Sequence, residues 1–204
     1  MHHDIFINPG KYEKVERTID IMKANYVGML FSIPFVLLLA LAYYLFWPGK
    51  FTLSHVMNKL ESLTWWQGLS SIFNIFWIAV AGIILHELIH GFTWAFFAKR
   101  GFNSIKFGIL WKYLTPYCHC TEPLSVRAYL TGAITPALFL GIIPSIFAVI
   151  SGNTPLLIFG FFFTVAAIGD FMILHLLWKE ESTDFVIDHP SEAGCFVYRK
   201  KINN

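Results

Sequence analysis

The chain has 204 residues, 56% of them hydrophobic and only 14% charged, with 21 Phe and 7 Trp and a mean hydropathy of +0.57. That balance excludes an ordinary soluble domain and suits a lipid-facing surface with aromatic belts at its edges. The net charge of +2 comes without any basic run, so nothing points to nucleic acid as a partner.

Residues 1–25 read as a short amphipathic cytosolic segment, in which Val15, Ile19, Ile21 and Met22 interleave with charge. A helix lying on the membrane surface is the expectation there. Four apolar stretches follow, each long enough to cross about 30 Å of hydrocarbon. They run from about Tyr26 to Trp47, Ser70 to Ala98, Ala128 to Ser151 and Leu156 to Trp178. The first follows a charged segment without a small-residue cleavage site, so it reads as a retained helix. Pro34, Pro136 and Pro144 lie inside these spans, which membrane helices tolerate when neighbours satisfy the freed carbonyls.

Between the second and third spans, Ser104 to Cys120 is rich in β-branched and aromatic residues and broken at Thr115-Pro116. Two short strands forming a hairpin are expected, over the cytosolic mouth of any site on the second span. Cys118-His119-Cys120 reads as packing or strand polarity, because two thiols at i and i+2 chelate a metal poorly without further ligands. In the third span Ala133, Ala137, Gly141 and Ser145 recur at every fourth position, a stripe that lets a neighbouring helix approach closely.

Thirteen of the fifteen Lys and Arg fall in the N-terminal segment, the second connection and residues 179–204, against Lys50 and Lys59 on the other side. The positive-inside rule then puts both termini in the cytosol of a multi-pass protein in the cell (inner) membrane. Cys118, Cys120 and Cys195 share that reducing side, so no structural disulfide is expected. The fold expected is an all-α membrane protein: one domain over 1–204, about four transmembrane helices, a small cytosolic β-hairpin and a cytosolic tail from 179.

The chemistry sits in the second span, at His86-Glu87-Leu88-Ile89-His90. Two His at i and i+4 share one helix face at the spacing a tetrahedral zinc ion needs. The Glu projects beside the metal, where it can take a proton from water. The plainer alternative is a helix whose His and Glu satisfy one another in the core. A catalytic zinc wants a third protein ligand. Asp170 is the one carboxylate buried in a span besides Glu87, and it lies nine residues before Lys179 as His90 lies nine before Lys99. Both spans run toward the cytosol, so the two groups share a depth of about 13 Å. Rival ligands are His175, Glu122, Asp184, Asp188 and His189; a hydrogen-bonded interhelical carboxyl is the other reading of Asp170. His175 reads as a cavity-lining group, and His55 and His189 as solvated.

With H-E-L-I-H in one span and Gly169-Asp170 in a later one, the chain resembles the zincin-type intramembrane metalloproteases, the site-2 protease group in the broad sense. The stretch Tyr117 to Leu124 and the stretch Gly132 to Pro136 resemble more narrowly a compact bacterial family of zincin membrane peptidases. The broad resemblance covers about the central two-thirds of the chain. It implies His86, His90 and Asp170 as zinc ligands and Glu87 as general base. The expected function is zinc-dependent proteolysis of a membrane-protein or peptide substrate in or just beneath the lipid bilayer. A membrane haem or metal carrier, with His90 and His175 as axial ligands, is the alternative; a scaffold with a degenerate site is a second. Oligomeric state is not legible.

Overall fold

The computed structural model of the protein describes residues 7, 10–18, 20–52, 54, 57–58, 61–111, 115–189 and 194–201. His55, Lys59 and Lys112, on which parts of the topology reading rest, lie outside the described residues, as does Ile19.

Apolar helices dominate. Helix α1 spans Ile21–Phe46, and α2 spans Trp65–Phe97. Helix α3 spans Val126–Ser151 and includes a π-helical turn at Ala137–Ile142. That wide turn lies between Pro136 and Pro144, which have no N–H to donate to the ladder. Segments within α1 to α3 are each long and apolar enough to cross a membrane. The fourth expected span is two helices, α4 (Thr154–Ala166) and α5 (Ile168–Leu177), bent by 45° at Ala167.

Local signals set the helix ends. Thr64 and Gln67 form a reciprocal capping box at the start of α2, which satisfies two otherwise orphaned backbone donors. Ser125 accepts from the Ala128 N–H to open α3, and Asn153 accepts from the Leu156 N–H to open α4. Gly152, at φ +67, closes α3 in the left-handed conformation that glycine adopts most readily.

The small-residue stripe of α3 is a packing seam, as its spacing implies. Ala133, Ala137 and Ser145 are buried. A Cβ on Gly141 would stand 2.5 Å from Thr164 Oγ1, and one on Gly160 would stand 2.2 Å from Ser145 Oγ. Both are too close for any larger residue, so α3 and α4 meet nearly backbone to backbone.

The expected hairpin is present as β2 (Ile105–Leu110) and β3 (Thr115–Cys120), antiparallel, with Ile105 opposite Cys120 and Leu110 opposite Thr115. Phe107 of β2 lies over Gly91, where a Cβ would meet its ring at 2.6 Å. The hairpin therefore runs back along α2 beside the histidine motif.

The all-α expectation needs correction. A four-stranded antiparallel sheet in the order β1-β6-β5-β4 is also present. Its strands are β1 (Tyr12–Thr18), β4 (Leu124–Ser125), β5 (Phe185–Asp188) and β6 (Gly194–Lys200). Within the N-terminal segment Tyr12–Thr18 is thus an edge strand and not part of a surface helix, and the region after α5 contributes two further strands. Pairing decides this: β1 lies against β6 from Tyr12↔Lys200 to Thr18↔Gly194. No local periodicity could display that contact. Because β1 precedes α1 and β6 follows α5, their pairing brings the start of α1 and the end of α5 to the same sheet.

Where sheet meets helices, Trp94, Tyr129, Leu177, Val186, Cys195 and Val197 share one buried cluster. Each fully buried aliphatic there contributes about 1.5–3 kcal/mol of burial. Glu180, just past α5, ties the sheet down. It accepts from Arg17 Nη2 at 2.9 Å and from Arg199 Nε and Nη2 at 2.7 and 2.8 Å.

Candidate metal centre

Glycines bring the helices together around the motif. A Cβ on Gly82, one turn before His86, would lie 2.1 Å from the Phe163 ring of α4, and one on Gly28 of α1 would lie 2.2 Å from Ile168 Cγ2. The end of α4 therefore rests on α2, while α1 closes on the start of α5. The bend at Ala167 sets Asp170 in the first turn of α5, the end of a helix where the backbone dipole favours a carboxylate.

His86 and His90, both buried on α2, meet Asp170 there. His86 Nε2 stands 3.1 Å from Asp170 Oδ2, and His90 Nε2 stands 3.2 Å from Oδ1. The two Nε2 atoms are themselves 3.2 Å apart. His90 Nδ1 lies 2.9 Å from the Gly132 carbonyl; a carbonyl can only accept, so Nδ1 carries a proton, and in the neutral imidazole Nε2 then keeps its lone pair. That lone pair faces a carboxylate oxygen and a second ring nitrogen, an electron-rich convergence that a cation neutralises.

The spacing suits zinc. Donors of a tetrahedral site at about 2.0–2.1 Å from the ion stand roughly 3.3 Å from one another, close to the separations observed. Two imidazoles and a carboxylate are also a ligand set typical of catalytic zinc, which leaves a position for water. Among the described residues these three form the one group of His, Cys, Asp or Glu able to hold a metal ion. Glu87 is half-buried beside them, within electrostatic reach of His86, His90 and Asp170.

The rival ligands are engaged elsewhere. Glu122 accepts from the Lys99 N–H at 2.8 Å and pairs with Arg100, and these partners hold its carboxyl below the usual range although burial opposes them. Asp184 accepts from the Lys200 N–H at 3.2 Å. Asp188 accepts from the Tyr129 hydroxyl and the Cys120 N–H. His175 is exposed; it stacks on Trp178 and lines a cavity of about 320 Å³ with Ser32, Phe35, Ile142, Thr164 and Phe171. It is not in the group formed by His86, His90 and Asp170.

One reading fails here: His189 is not solvated but 9% exposed, tilted against Phe196 and 3.5 Å from Glu16. The paired sheet covers it. Cys118, Cys120 and Cys195 are free and buried. Burial pushes the Cys120 thiol up to about 11 and Cys195 up to about 12, which leaves them as neutral packing groups. Sequence reasoning missed the Gly132 carbonyl as partner of His90, since a backbone acceptor carries no residue-type signal.

Comparison with protein families matches residues 79–185, just over half of the chain, to the family described as "Putative zincin peptidase". No curated protein and no solved structure matches. The matched segment runs from before the histidine motif to the first residue of β5 and contains His86, Glu87, His90, Gly132 and Asp170. The chain belongs to this zincin peptidase family.

Proposed function

We propose that the protein is an intramembrane metalloendopeptidase of the site-2 protease kind, which hydrolyses peptide bonds of a membrane-protein substrate in or just beneath the bilayer. The observation that carries this reading is the convergence of His86, His90 and Asp170 within 3.1–3.2 Å, beside a half-buried Glu87, on helices apolar enough to span a membrane.

His86, His90 and Asp170 would hold zinc. When bound, zinc supplies Lewis acidity: it polarises the scissile carbonyl and makes water a nucleophile near neutral pH. Glu87 acts as the general base, taking a proton from the attacking water and passing it to the leaving amine. The Gly132 carbonyl keeps His90 in the tautomer whose Nε2 is free to bind. A substrate helix must unwind before cleavage, because its carbonyls are tied up in its own ladder. The hairpin β2–β3 beside the motif offers strand geometry for the unwound segment. The family membership supports zinc-dependent peptidase chemistry. The distribution of basic residues supports a protein of the cell (inner) membrane with both termini cytosolic, and the chain length supports a single domain over 1–204.

The test is Glu87→Gln in the full chain, co-expressed with a membrane substrate. Amide for carboxylate removes proton acceptance while nearly preserving shape. Cleavage should fall by about 10²–10⁴-fold, with zinc content unchanged and uncleaved substrate co-purifying. Wild-type cleavage by Glu87→Gln would end the assignment.

A further inference from the structure

His90 stands at one end of a column of stacked rings. The Trp94 indole stacks on it at 5.0 Å between centroids and 16° between planes. The Tyr129 ring stacks in turn on Trp94 at 5.3 Å and 20°. Hydrogen bonds tie the column together: Trp94 Nε1 donates to the Tyr129 carbonyl at 3.0 Å, and the Tyr129 hydroxyl donates to Asp188 Oδ1. Asp188 then accepts the Cys120 N–H on Oδ2 at 2.8 Å. It sits on β5, where it pairs with Cys195 of β6.

Gly132, one turn beyond Tyr129 on α3, completes the arrangement. Its carbonyl receives His90 Nδ1–H, and a Cβ at this position would lie 2.0 Å from Trp94 Nε1. One turn of α3 thus supplies the acceptor that orients the imidazole and the space in which the indole flanks it. Trp94 is 5% and Tyr129 3% exposed, so neither ring has room to turn away.

We propose that Asp188 is a positioning residue for His90, acting through Tyr129 and Trp94, so that one residue of β5 tunes the metal affinity of a site it does not touch. This rests on the metal-site reading above. A ligand held within a few tenths of an ångström by packed rings and outer hydrogen bonds binds its metal without first giving up rotamer freedom. Asp188 pins the far end of the column, since its two oxygens hold Tyr129 on one side and β3 on the other.

The experiment uses the full chain in detergent, with Zn²⁺ for affinity and Co²⁺ as a spectroscopic probe of ligand geometry. Tyr129→Phe keeps the ring and removes only its anchor; Asp188→Asn keeps the shape and loses one acceptor together with the carboxylate charge. Each should weaken zinc binding about 10–100-fold and alter the cobalt ligand-field bands. The double variant should be little weaker than the worse single, as expected of residues acting in one column. Glu180→Gln, which loosens the sheet elsewhere, should lower thermal stability and leave the metal affinity alone. Unchanged affinity and cobalt spectrum in Tyr129→Phe would overturn the proposal, as would an equal loss in Glu180→Gln. Should Asp188→Asn fail to fold, Tyr129→Phe decides alone. If Asp170→Ala binds zinc like the wild type, or the wild type binds none, the metal-site reading itself falls and takes the proposal with it.

Discussion

His86 and Asp170, 84 residues apart in sequence, stand 3.1 Å apart between Nε2 and Oδ2. They come from different helices, and the contact depends on the bend that separates α4 from α5. Local geometry alone supplies His86 and His90 as a pair; a third ligand depends on tertiary packing.

Removing that third ligand should release the metal. Asp170→Ala is expected to fall from about one zinc per chain to nearly none, whereas His175→Ala, outside the group, should remain loaded. Metal analysis of the purified variants decides this, and a fully loaded Asp170→Ala would remove Asp170 from the ligand set.

The seam between α2 and α4 makes a separate demand. A Cβ at Gly82 would stand 2.1 Å from the Phe163 ring, which is itself 1% exposed. Gly82→Val should destabilise the protein by about 1–3 kcal/mol through overpacking. Thermal unfolding in detergent measures it; a wild-type midpoint would mean that the helices are free to separate there.

Acid stability should depend on Glu180. Hydrogen bonds from Arg199, and then from Arg17, hold its carboxyl below the ordinary 4.5 although burial opposes them. A depressed folded value means that the clamp's stabilisation is fully present above about pH 4.5 and is lost as pH falls through the folded value. Glu180→Gln should therefore cost about 1–3 kcal/mol at neutral pH and flatten the decline below pH 4.5. Unfolding followed against pH for both proteins checks this, and parallel curves would exclude Glu180 as the cause.

Topology is open to direct labelling. From the concentration of Lys and Arg at both ends and in the second connection, a reporter fused after Asn204 should read as cytosolic, and a cysteine introduced near Lys59 should label from outside. Labelling of both from the same side would contradict an even number of crossings.

Composition and short-range spacing determined the apolar spans, the hairpin at Ser104 to Cys120, the His86/His90 pair and the small-residue seam of α3. Each of these follows from residues a few positions apart, where helix and strand periods act directly. Asp170 was legible for a different reason: a carboxylate in a membrane span is costly and needs a partner. Only the tertiary structure decided the four-stranded sheet, because β1 and β6 pair across nearly the whole chain. The β-branched and aromatic residues of Phe185–Asp188 and Gly194–Lys200 favour strands, yet a strand gains its stability from a neighbour that its own sequence does not name. The bend at Ala167, the Gly132 carbonyl facing His90 and the burial of His189 belong with the sheet. Each arises from contact between distant elements, which residue type and spacing do not encode.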